Sequence, residues 1–193
     1  MRAQVHTLEA IVGALLLLTS VVFALQMTAV TPLSASTSSQ HIENQQQASV
    51  EGVLASAAES GALRRAVLYW NETGERFQNT SSETFYTIKA PPNEFGRTLE
   101  RQFGDRGVAY NVRVYYRTAS GNVGEQLMVN QGEPSDNAVM SARTVVLTDD
   151  ARLYNESGER PGTSVEDSYM SNDVAKNSPV HTVVRVEVIV WRI

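Results

Sequence analysis

Residues 10–30 carry no charge, and most of them are aliphatic. Coiled as an α-helix rising 1.5 Å per residue, such a run is about 31 Å long, close to the hydrocarbon thickness of a bilayer. It follows a polar head, residues 1–9, with one firm positive charge at Arg2 and an acid, Glu9, at the very edge of the apolar run. The sequence therefore predicts a transmembrane helix over 10–30, a small polar stem over 31–39 and a head domain over 40–193. Thr31-Pro32 is expected to kink or end the helix.

Once the apolar start and stem are set aside, about 150 residues remain, the size of one ordinary domain with a real core. The net charge of the 193-residue chain is -5, so the basic footprint of a nucleic-acid binder is absent. There is no cysteine, which excludes disulfides, thiolate metal sites and cysteine nucleophiles. Three Asn-x-Ser/Thr acceptors occur, at Asn71, Asn79 and Asn155. Such sites matter only on an exported surface, and they mildly support an outside location for the head.

Three readings of the amino terminus compete. A secretory signal peptide would use Ser34-Ala35 as its cleavage site, but its apolar core would be too long and its head contains an acid. A plain single-span anchor needs only the apolar length; Arg2, with the titratable His6, then favours a cytoplasmic amino terminus and an extracellular head. The third reading starts from local pattern. Arg2-Ala3-Gln4, then Thr7-Leu8-Glu9, an aliphatic run and Phe23-Ala24-Leu25-Gln26 resemble the class III signal of type IV pilins, in the form found in haloarchaeal pilin-like proteins.

That resemblance implies processing by a prepilin-type peptidase within Arg2, Ala3, Gln4 and Val5, before the apolar segment rather than after it. The helix would remain attached and form the core of a filament with other pilin-like subunits. An acid at the edge of a membrane helix is costly unless paired or hydrated, and in pilins an acid near the fifth mature residue is thought to neutralise the amino terminus of a neighbouring subunit. Cleavage after Ala3 makes Glu9 the sixth mature residue; cleavage after Gln4 makes it the fifth but puts a larger residue at the cut. Gly13 and Ala14 are small enough to let helices approach closely.

Beyond the stem, Ile42, Val50, Val53, Leu54, Ala57 and Ala58 recur at helical spacing and predict an amphipathic helix from residue 40, with Gly61 as a cap. Residues 71–82 read as an exposed loop and 85–88 as a short strand. Asn93 is placed to cap a helix carrying Phe95, Leu99 and Phe103. Three alternating runs follow, at 108–118, 123–130 and 138–148, the first two joined by a turn so short that they must be antiparallel. Residues 149–177 are long, polar and irregular. The run 180–193 is apolar on both faces and reads as a central strand. The expected fold class is α+β: a long N-terminal helix, transmembrane half plus amphipathic half, packed on a four-stranded antiparallel sheet in the manner of a pilin.

No catalytic constellation is visible. His6, His41 and His181 share no local metal spacing, and no nucleophile elbow, phosphate loop or dinucleotide fingerprint occurs. Asp149, Asp150, Glu166, Asp167 and Asp173 offer oxygen ligands of the kind calcium takes, but no twelve-residue calcium loop is present, and a solvated acidic loop is the expectation. The sequence thus points to no enzyme, metal, cofactor, nucleic acid or small-molecule substrate. It points to a pilin-like subunit or minor pilin of an archaeal surface filament or secretion machine, single-pass in the cell membrane before assembly. A membrane-anchored binding or adhesion domain that never polymerises is the rival.

Overall fold

A computed structural model describes residues 2–80 and 83–192; within the first helix, side chains are described at residues 9–25 and 40–59. The helices are α1 (Arg2–Glu59), α2 (Ala62–Val67) and α3 (Glu94–Gln102). The strands are β1 (Trp70–Asn71), β2 (Arg76–Phe77), β3 (Val108–Arg117), β4 (Val123–Asn130), β5 (Val139–Thr148) and β6 (Val180–Arg192). The chain divides into two compact units, Met1–Asn44 and Gln45–Ile193.

In the first unit, α1 does not end at Pro32. Among the described residues no helix is long and apolar enough to cross a membrane. The expected transmembrane half is corrected accordingly. The single-pass placement, amino terminus inside and head outside, falls with it.

In the second unit, four antiparallel strands form a sheet in the order β4-β3-β6-β5. The apolar alternation of β3 buries Tyr110, Val112 and Val114 on one face, opposite Val190, Val188 and Val186 of β6. β6 occupies an interior position, as its two apolar faces require. One face carries the main core, where the β-strand valines meet Leu63, Ala66 and Val67 of α2 and Phe95 and Leu99 of α3. On the other face Ala109, Ile189 and Trp191 form a smaller cluster with Ala138.

The expected amphipathic half of α1 is shorter than its sequence stripe. Ile42 is exposed, and burial begins at Val50, continuing through Val53, Leu54 and Ala57. Gly61 then adopts the left-handed conformation (φ 72°), which a glycine enters without steric cost and which separates α1 from α2. Asn93 caps α3 as expected, its side chain accepting from Gly96 N at 3.0 Å.

Two local expectations fail. The stretch 71–82 is not merely an exposed loop: β1 and β2 pair Trp70 with Phe77, whose rings meet edge to face at 5.2 Å in the core. The strand expected at 85–88 reduces to a single bridge between Tyr86 and Val129. Pro91 and Pro92 follow closely and cannot extend a ladder. The irregular reading of the next long segment holds, with a 3-10 turn at Val165–Asp167. It is nonetheless tied to the core by Tyr169. That ring packs against Trp70 at 4.8 Å and Tyr116 at 5.3 Å, and its hydroxyl donates to Val67 O at 3.2 Å.

Candidate functional site

Two regions offer surfaces for function, one in each unit. The first is the apolar part of α1. Its leucines, valines, isoleucine and phenylalanine between positions 11 and 25 are all exposed, from 46 % at Val22 to 71 % at Leu17. Because they lie on every side of the helix, no single packing face is left dry by its own unit. Thr19 and Ser20 fold their hydroxyls back onto Leu15 O, Leu16 O and so offer no polar edge. Gly13 and Ala14 are exposed on this helix, and a side chain at Gly13 would meet nothing within 4 Å. Glu9 is exposed at its start. The processing residues Arg2, Ala3, Gln4 and Val5 lie outside the residues whose side chains are described.

The second region is where β5 ends, β6 begins and the long 149–179 connection returns. Among the described residues, Asp149, Asp173 and His181 bring one ligand atom each to within 4.8 Å of one another. His181 is 1 % exposed. Its Nε2 lies 2.8 Å from Met170 O; since a carbonyl only accepts, Nε2 carries the hydrogen. Nδ1 then faces Asp149 Oδ1 at 4.0 Å, beyond hydrogen-bonding distance. Of the acids singled out from sequence, Asp149 and Asp173 therefore converge. Asp150 turns instead to the Thr148 hydroxyl, which holds its carboxyl below the usual range, and Glu166 and Asp167 lie in the 3-10 turn.

The three sequons all lie in the head. Asn71 Oδ1 accepts from Gly74 N at 2.8 Å, and Asn155 Oδ1 accepts from Glu159 N at 2.8 Å, so both sit in side-chain-closed turns. Asn79 donates its amide nitrogen to Tyr69 Oη at 2.8 Å.

The family model described as a family of unknown function (DUF7288) matches residues 2–190. The chain belongs to that DUF7288 family. No curated protein and no solved structure matches it. The DUF7288 match spans the exposed apolar helix and the head alike, so both regions belong to the family's common plan.

Sequence reasoning passed over His181 because its partners stand 8 and 32 positions away, one within the long connection and one just past the end of β5. Local metal motifs depend on short spacing within one element, and a set assembled across a sheet end leaves no such signature. It also passed over Glu187, a carboxylate 6 % exposed on the outer face of β6. Its oxygens take up Tyr115 Oη at 3.2 Å and Arg185 Nη2 at 3.0 Å. This charge is paired within the sheet, beside an open groove of about 440 Å³ bordered by Tyr115, Arg117 and Val183.

Proposed function

We propose that this chain is a non-enzymatic, pilin-like assembly subunit, major or minor, whose N-terminal helix packs against the same helix of other subunits. The observation that carries the reading is the uncovered apolar surface of residues 10–25. A helix apolar on all sides is stable only in apolar surroundings, and its own unit supplies none. Copies of the same helix do, and Gly13 and Ala14 permit close approach. The resemblance of Arg2-Ala3-Gln4 and Thr7-Leu8-Glu9 to a class III signal adds a route to the mature form, with a prepilin-type peptidase cutting beside Ala3.

The test has two parts. Mass spectrometry of the protein from its native host should find Gln4 or Val5 as the first residue. Sedimentation and electron microscopy should find helix-dependent assemblies that Leu16→Glu disperses while the head keeps its thermal unfolding transition. Glu9→Ala should reduce assembly less completely. A monomeric protein with an intact Met1, unaffected by Leu16→Glu, would overturn the reading and leave the head as a binding module.

A further inference from the structure

We propose that Asp149, Asp173 and His181 bind a divalent transition-metal ion, with Zn2+ the best fit. The ion pins the long 149–179 connection to the ends of β5 and β6. The inference is independent of the assembly reading, since it concerns the head alone.

The decisive feature is the orientation of His181. Its ring is almost wholly buried, and Nε2–H donates to Met170 O at 2.8 Å, which leaves Nδ1 as the nitrogen turned toward the carboxylates. That arrangement is the one metal-ligating histidines adopt, one ring nitrogen donating to a carbonyl so that the other aims its lone pair at the ion. Here the lone pair aims at carboxylates. Nδ1 is 4.0 Å from Asp149 Oδ1, and the Asp173 oxygen completes a set whose members all lie within 4.8 Å. Asp149 is exposed and Asp173 half-buried, so the set opens to solvent on the carboxylate side and is closed by the buried imidazole on the other. A cation among them satisfies all three.

The supporting backbone is already closed around the set. Asp149 N donates to Pro179 O at 3.2 Å, Val174 N donates to His181 O at 2.8 Å, and Asp173 accepts from Ala175 N at 2.8 Å. These bonds fix the backbone at Asp149 and His181 and the side chain of Asp173.

The donor set selects the metal. Two carboxylate oxygens and one imidazole nitrogen suit Zn2+, which binds both at about 2.0–2.2 Å and takes one further water in a tetrahedral shell. Calcium prefers six to eight oxygens, and magnesium an octahedral shell of oxygens. Ligand atoms around a tetrahedral zinc lie about 3.4 Å apart, so the set needs only a small contraction. Asp149, with its side chain 52 % exposed, is free to make it.

The test is titration of the full chain, purified in mild detergent and stripped with chelator, with ZnCl2, MnCl2, CaCl2 and MgCl2. Calorimetry and thermal unfolding are read for wild type and for Asp149→Asn, Asp173→Asn and His41→Gln. Removing buried His181 risks unfolding the head, so the two aspartate variants, which keep shape and hydrogen bonding, carry the weight. Expected is one zinc per chain, at least tenfold weaker binding in each aspartate variant, unchanged binding in His41→Gln, and an X-ray absorption spectrum with one imidazole among oxygen ligands. Absence of zinc binding would mean that His181 forms only an ion pair with Asp149, and would overturn the proposal. So would zinc binding retained in the Asp149→Asn/Asp173→Asn double variant, loss of binding in His41→Gln, or a stronger response to calcium or magnesium than to zinc.

Discussion

Tyr110 Oη donates to Glu100 Oε1 at 2.7 Å, joining the buried face of β3 to α3. The same oxygen accepts from Ala90 N at 3.0 Å, so one carboxylate closes a strand, a helix and the segment before that helix. Glu100→Ala leaves two donors without a partner, and each buried orphan costs on the order of 1–3 kcal/mol. We expect a loss of about 3 kcal/mol in urea denaturation. Glu100→Gln keeps an acceptor and should lose about 1 kcal/mol; equal losses would show that the hydrogen bonds are not what the carboxylate contributes.

Stability should fall steeply in alkali. Burial raises the pKa of Tyr86, Tyr110 and Tyr169 above the ordinary 10.0, with Glu100 adding to the effect at Tyr110. In the unfolded chain these phenols ionise as pH passes 10, while in the fold they stay protonated. A folded-state pKa above the unfolded one means that stability is whole below pH 10 and declines above it. The decline is about 1.4 kcal/mol per pH unit for each such group until its folded pKa is reached. Denaturation midpoints from pH 8 to 12 would show the break near 10, and Tyr110→Phe should make the slope shallower. A flat profile across pH 10 would contradict the burial of these hydroxyls.

Gly96 is required by packing. A Cβ there would lie 1.9 Å from Pro91 O, a backbone atom that cannot swing aside. Gly96→Ala should therefore displace α3 from the diproline segment and destabilise the head by about 3 kcal/mol, despite alanine's better helix propensity. A neutral result in thermal unfolding would mean that α3 sits farther from Pro91.

Tyr169 packs against the core from the long connection, alongside the buried Ala151, Leu153, Val165 and Met170. Tyr169→Ala removes ring contacts with Trp70, Phe77 and Tyr116, and comparable aromatic truncations cost about 3–5 kcal/mol. The connection should also become a preferred site for proteases. Limited digestion compared with wild type, read by mass spectrometry, checks the second outcome separately from the first.

Much of the head was legible in sequence because its signals were local. Period-two alternation marked β3 to β6, apolar residues on both faces marked β6 as interior, and Asn93 marked the start of α3. What escaped depended on distant partners. The Trp70–Phe77 pair looked like loop because β1 and β2 are two residues each, too short to show a period. Ile42 fitted the helical stripe, yet periodicity cannot say where a stripe stops having something to pack against. The apolar run of α1 was legible as composition but not as a span. The convergence of Asp149, Asp173 and His181 had no sequence signature, since a strand end, a loop and a strand start meet only after the sheet has formed.

The interior position of β6 also governs the order in which the head can form. β3 and β4 are neighbours joined by a short turn and can close early as a hairpin. β5 has no such option. Among the described residues its strand partner is β6, reached after the long 149–179 excursion. Until β6 inserts between β3 and β5, each of those strands presents an unpaired edge, the kind of edge that recruits foreign strands. The head therefore passes through its most aggregation-prone stage just before its last strand docks, and closure of a long loop makes that step slow.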